Sequence, residues 1–166
     1  MNKSNIETLI ELIRTHEDPG IRIGAAMAFS NRLDIPIEWL RDALKDEYLQ
    51  IRLSAAKSFR VRDDIPLDIL ELAFNDKEPS VRAEAVRAFS GRDDIPIEWM
   101  IKALNDESSY VREVSMAAFN ELDELPIEFL KIPLTIRYDN NYRCEAFNIM
   151  LDRYFENDIK EETENV

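Results

Sequence analysis

The residues that could do chemistry in this chain are few and far apart. His16 is the only histidine and Cys144 the only cysteine, and they stand near opposite ends of the sequence. A Ser/His/Asp or Cys/His arrangement needs nucleophile, base and orienting group within hydrogen-bond reach, and these two residues offer no such set. One cysteine cannot build a thiolate metal site or an internal disulfide, and a buried, reduced thiol suits it better. The chain has three glycines and neither a G-x-G-x-x-G run nor a P-loop, so no phosphate cradle is expected. Adjacent carboxylates recur as Asp63-Asp64 and Asp93-Asp94. They precede prolines that can open a helix, where turn and capping roles account for them. A calcium loop would need alternating oxygen ligands around a glycine, and that pattern is absent too. The expectation is a protein that is not an enzyme and has no cofactor and no metal.

The feature that orders everything else is a spacing. Pro36, Pro66, Pro96 and Pro126 are thirty residues apart, and so are Arg22, Arg52, Arg82 and Arg112, half a period away. Self-similarity at that length signals stacked supersecondary units. The units run over about 4–33, 34–63, 64–93, 94–123 and 124–155, with an acidic tail over 156–166.

Each unit carries two helical patterns. The first begins near the repeated proline, which suits a first helical position because its missing N–H would be unpaired there. Glu38, Asp68, Glu98 and Glu128 follow in the first turn, where the helix dipole favours negative charge. Trp39, Leu40, Ala43 and Leu44 recur as Ile69, Leu70, Ala73 and Phe74 and as Trp99, Met100, Ala103 and Leu104, one apolar face of a helix. The second helix opens at Asp18-Pro19 and Glu78-Pro79, with Ser108 as the matching N-cap. Its core face reads Ile51, Ala55, Ala56, Phe59 and then Val81, Ala85, Val86, Phe89, with Phe29 and Phe119 in register. Ser4 and Glu7 have capping-box spacing, and Pro133 should kink or shorten the first helix of the last unit.

These residues resemble HEAT repeats, in particular the short bacterial type similar to phycobilisome-lyase HEAT-like repeats. In that family an aspartate of the inter-helix turn is followed six residues later by an arginine of the second helix. Here Asp46 stands six before Arg52, Asp76 before Arg82 and Asp106 before Arg112, and the second helices begin IRLSAA and VRAEAV. The end units depart from the pattern: His16 and Arg137 take the aspartate position, with Asp18 and Asp139 four residues before Arg22 and Arg143. The resemblance implies an all-α fold, an α-α superhelix (solenoid) of about five HEAT-like helix pairs. The Asp/Arg rows are expected to be structural, each aspartate accepting turn N–H groups and each arginine bridging to a neighbouring unit.

Function is sought on the surface. In such arrays the second helices line the concave side, and their outward positions give Ile23, Met27, Leu53, Lys57, Val61, Ala83, Arg87, Tyr110, Glu113 and Ala117. Ile23, Met27, Leu53, Lys57, Arg87 and Tyr110 are the candidate partner contacts, in a shallow groove suited to an acidic or amphipathic peptide. Arg32, Arg62 and Arg92 form a further row, which either extends that groove or neutralises the adjacent aspartates of the R-x-D turns. With 34 acidic against 21 basic residues the net charge is -13. Such a charge disfavours direct binding to nucleic acid or an anionic membrane and favours a basic partner, or serves solubility alone. The expected function is a non-catalytic interaction module for a protein partner, basic or peptide-like. One alternative is a nucleic-acid mimic acting through convex rows of carboxylates (Asp34, Glu38, Asp42, Asp64, Asp68, Glu71, Asp94, Glu98, Glu124, Glu128). Another, implied by the resemblance alone, is an accessory subunit of a bilin-lyase-like complex. No stretch is apolar for long enough to span a bilayer. A cytoplasmic protein is expected, monomeric or weakly associated end to end.

Overall fold

The computed structural model describes residues 3–120 apart from residue 31, with side chains over 5–118 apart from the same residue. Every regular element among them is helical: α1 (Lys3–Thr15), α2 (Pro19–Met27), α3 (Ile37–Ala43), α4 (Leu49–Lys57), a 3-10 turn (Ser58–Val61), α5 (Leu67–Phe74), α6 (Pro79–Arg87), α7 (Ile97–Leu104) and α8 (Ser109–Asn120). The chain divides into two compact units, Met1–Ala88 and Phe89–Val166. The expectations for the Ser4 and Phe119 side chains, for the repeat at 124–155 with Pro126, Pro133 and Arg143, for Cys144 and for the tail lie outside the described residues.

In the first unit α1 packs on α2, α3 on α4 and α5 on α6, while α2, α4 and α6 pack in series and α3 lies against α5. In the second, α7 packs on α8. Four packed helix pairs are thus present among the described residues.

Proline sets the helix starts in two ways. Pro19 and Pro79 occupy the first turn of α2 and α6, and the Asp18 carboxylate accepts the Gly20 N–H at 2.7 Å. Glu78 makes no such side-chain cap. Pro36, Pro66 and Pro96 stand one residue earlier than the repeat spacing suggests, as N-caps with extended ψ of 137, 148 and 134°. Their carbonyls accept the first N–H of the helix, from Trp39, Ile69 and Trp99 at 3.1, 3.0 and 2.9 Å. A proline carbonyl can open the ladder as well as any other, so the ring is accommodated on either side of the boundary.

The exits from the second helices vary for a local reason. Gly91 turns the chain with φ +73°, the left-handed conformation that glycine adopts without a steric cost. The equivalent residue one repeat earlier is Val61, for which that conformation is unfavourable. There the chain winds into the 3-10 turn Ser58–Val61 instead.

The core follows the apolar positions closely. Trp39, Leu40, Ala43 and Leu44 are buried, as are Ile69, Leu70, Ala73 and Phe74 on α5. On the second helices Ala25, Ala26, Ala55, Ala56 and Ala85 are buried and keep the helices close, while Phe29, Phe59 and Phe89 are shut off from solvent. Phe29 meets Trp39 edge-on, centroids 4.8 Å apart and planes at 82°, a favoured aromatic geometry. In the second unit Phe89 and Trp99 are 6.0 Å apart at 39°, and Trp99 remains half-buried. Phe59→Ala should lower the stability of the protein by about 3–5 kcal/mol, the cost of a large core truncation, read by urea unfolding. Val61→Ala, at a residue 41% exposed, should change it by about 0.5 kcal/mol or less.

Candidate functional site

The repeated aspartates and arginines form a network inside the helix stack of the first unit. Asp46 Oδ1 accepts the Tyr48 N–H at 2.9 Å, and Asp76 Oδ1 accepts that of Glu78 at 2.9 Å. In the second unit Asp106 Oδ1 accepts the Ser108 N–H at 2.8 Å. Each carboxylate thereby closes the turn that leads into the second helix. The arginine six residues on reaches back to the same turn, but to its backbone. Arg52 Nη1 donates to the Asp46 and Glu47 carbonyls at 2.9 and 3.0 Å. Arg82 does the same to Asp76 and Lys77 at 3.0 and 3.1 Å, and Arg112 to Asp106 and Glu107 at 2.8 and 3.1 Å.

The carboxylate partner lies one pair along. Arg52 Nε and Nη2 bond Asp76 Oδ2 and Oδ1 at 2.7 and 3.3 Å, with both side chains only 5% exposed. Arg22 Nη2 bonds Asp46 Oδ2 at 2.5 Å and its Nε bonds the Ile13 carbonyl at 2.8 Å. The Arg22 guanidinium also lies over the Tyr48 ring, 5.2 Å from the centroid. The six-residue spacing therefore marks a side-chain-to-backbone bond, and the ion pair spans 24 residues. Where the first unit lacks the aspartate, His16 replaces it: its Nδ1 accepts the Asp18 N–H at 3.0 Å, as Asp46 does for Tyr48.

The second arginine row is held by its neighbours. Arg32 forks onto Asp34 at 2.8 and 2.5 Å, Arg62 onto Asp64 at 2.7 Å through both nitrogens, and Arg92 onto Asp94 at 2.8 and 2.6 Å. Arg62 also donates to the Ile35 carbonyl at 2.6 Å, tying this turn to the preceding one. Asp42 is paired with Arg14 and Asp68 with Arg41. Hydrogen bonds from these arginines hold the carboxyls of Asp34, Asp64, Asp68 and Asp94 below the usual carboxylate range.

The candidate contacts on the second helices differ in exposure. Met27 is 62% exposed and, in the second unit, Tyr110 is 43% exposed. Ile23, Leu53, Lys57 and Arg87 are half-buried, while Glu113 and Ala117 are open to solvent. Ala83, expected to face outward, is fully buried; a methyl group reaches no farther than the surrounding backbone and longer side chains cover it. Arg87 Nη1 lies 3.4 Å from Glu84 Oε1. Glu84 is itself buried and is gripped at both oxygens by Arg60, at 2.6 Å each.

Arg60 and Glu84 were not among the residues singled out from the sequence, yet a signal was there. Ser30 and Ser90 occupy the position of Arg60, and Gly24, Ser54 and Val114 that of Glu84. The two departures occur together and are 24 residues apart, the offset of the Arg52–Asp76 pair.

Among the described residues no group of histidine, cysteine, aspartate and glutamate could hold a metal ion, and no helix is long and apolar enough to cross a membrane. An open depression on α1 is lined by Glu7, Thr8, Glu11, Leu12 and Thr15, residues with no convergent acid–base pair. No family model matches the chain, and no curated protein matches it.

Two outcomes follow from the charge pairs. Arg52→Met strands the Asp76 carboxylate in a nearly dry site and should lower stability by about 3–5 kcal/mol. Arg14→Met, at an exposed pair, should lower it by about 1 kcal/mol or less; chemical denaturation distinguishes the two. The folded carboxyl of Asp34 lies below its unfolded value of ~3.9, so its pairing contributes above that pH and is lost as pH falls through the folded value. A carboxyl-carbon NMR titration should place Asp34 below ~3.9, and Arg32→Met should return it towards that value.

Proposed function

We propose that the protein is a HEAT-like α-solenoid acting without catalysis as a protein–protein interaction module, with the outward face of its second helices as the binding surface. One observation carries this reading. Met27, Lys57, Arg87 and Ala117 occupy the same position of four successive repeats, all reach solvent, and all differ. The residues just before them, Ala26, Ala56, Val86 and Met116, are buried in every case. A position that is regular in geometry but variable in chemistry is where a repeat array acquires identity for a partner.

The chemistry of that position suggests the partner. In the first unit it supplies an exposed thioether at Met27 and cations at Lys57 and Arg87, with Val61 exposed nearby in sequence. In a chain of net charge -13 this is an apolar and basic face, suited to an amphipathic segment carrying acidic side chains. The nucleic-acid-mimic alternative has less support, because Asp34, Asp42, Asp64, Asp68 and Asp94 of its carboxylate rows are each paired with an arginine. A cytoplasmic setting belongs to the same proposal.

Affinity capture from the host lysate, followed by identification of the bound protein, tests the proposal. Met27→Asp with Lys57→Glu should reduce capture at least about tenfold, a loss of ~1.4 kcal/mol, while Glu38→Lys with Glu71→Lys leaves it intact. The reverse pattern would reject the second-helix face and favour the carboxylate rows.

A further inference from the structure

Arg60 lies in the 3-10 turn that follows α4, and Glu84 lies on α6, which packs against that turn. Both Glu84 oxygens accept from Arg60 at 2.6 Å, and Oε1 also lies 3.4 Å from Arg87 Nη1. The Glu84 side chain is 4% exposed and that of Arg60 44%. Helix packing does not require this arrangement, because α2 packs on α4 with Ser30 and Ser54 at the corresponding positions. A buried carboxylate carries a desolvation cost that a serine avoids, and a buried ion pair is weak evidence of a stabilising role. What the pair provides is a guanidinium held in one place with one side in solvent.

We infer that Arg60 is a binding residue of the second-helix face and that Glu84 is its positioning residue. Arg60, fixed by Glu84 and flanked by Lys57 and Arg87, receives a carboxylate from an acidic segment of the partner protein. This rests on the reading of that face as the interaction surface. Lys57 precedes Arg60 by three residues where α4 passes into the 3-10 turn, a spacing that puts both side chains on one face. Arg87 takes the position of Lys57 on α6 and leans on the same buried carboxylate.

Charge complementarity names the occupant. The chain carries a net charge of -13, yet residues 48–62 contain no acidic residue and Glu84 is the sole one in 79–90. Arg52 is buried in the ladder and Arg62 is paired with Asp64, so Lys57, Arg60 and Arg87 are the cations that reach solvent on this face. Arg60 and Arg87 have other interactions too; recognition asks of them a fixed position and a solvent-facing side, and Arg60 has both. A guanidinium fork matches a carboxylate, and a side chain already held by a buried partner loses little freedom on binding. Met27 and Leu53 lie on α2 and α4, so the segment's acidic side chain is directed to α4 and α6 and its apolar side chains to α2 and α4.

The probe is a synthetic helical peptide, acetylated and amidated, with leucine along one face and glutamate along the other; its control carries glutamine for glutamate. In NMR titrations to ~2 mM peptide, the Arg60 Nε–H resonance should shift and saturate, and the glutamine peptide should bind at least about fivefold more weakly. Arg60→Ser with Glu84→Ser copies the residues of the α2–α4 packing, so the fold should survive, as a thermal melt checks, while affinity falls at least about tenfold. Glu84→Gln separates positioning from plain attraction. It makes the face more positive, so attraction alone would tighten binding, whereas release of the fixed guanidinium should weaken it about threefold or more. An Arg60 resonance that stays in place while the Met27 and Leu53 methyls shift overturns the anchor and leaves the second-helix face standing. A shift at Arg60 with unmoved methyls supports the anchor and counts against the wider face. No shift at any of these residues, or tighter binding by Glu84→Gln, overturns the proposal.

Discussion

The Arg52 guanidinium sits almost entirely out of water beside the Asp76 carboxylate, both 5% exposed. Removing two opposite charges from water costs several kcal/mol for each ion, and attraction alone offsets that only with good geometry and full hydrogen bonding. Here the donors are nearly exhausted. Four hydrogen bonds run from Arg52, two to the carboxylate and two to the carbonyls of its own turn. Asp76 also accepts the Glu78 N–H. One guanidinium therefore fixes a turn in its own helix pair and a turn in the next, and sets the offset between them. The register of α4 on α6, and hence the placing of every core residue between them, depends on that pair.

With register fixed by polar groups, the apolar positions need only be the right size. Phe29 finds Trp39 at 4.8 Å, whereas Phe59 has Ile69 at the equivalent of Trp39, and both residues are buried. The charged rows that look suggestive of an ion site are thus occupied with one another. Side chains one residue beyond the core, such as Met27 and Lys57, answer to no such constraint, and there the repeats diverge.

The sequence made the helices and their buried faces legible because its signals are periodic: prolines at helix starts, aromatic and alanine positions inside, acidic residues in first turns. Its blind spots have physical causes. Helix starts at Pro36, Pro66 and Pro96 shifted by one residue because a proline carbonyl serves as N-cap as readily as its ring serves the first turn. Asp46 and Arg52 stand together in sequence, but a carboxylate and a guanidinium on one turn and helix do not determine which copy of the partner is within reach. The Arg60–Glu84 pair breaks the repeat at two places at once, so periodicity, which rewards sameness, hides it. Ala83 was read outward from its helical phase, which ignores how little an alanine projects. His16 stands at the aspartate position without resembling one, yet an imidazole nitrogen can do a carboxylate's work in closing a turn. The proposed binding face is the least legible of all, since chemistry that differs in every repeat carries no pattern.

A double-mutant cycle on Arg52 and Asp76, with each residue replaced by an apolar side chain of similar volume and unfolding followed in urea, bears most directly on whether this pair holds the stack in register. A coupling energy of about 2–3 kcal/mol is predicted, with the double variant recovering much of the stability lost by either single one. A coupling near zero, with the two single losses simply adding, would contradict it.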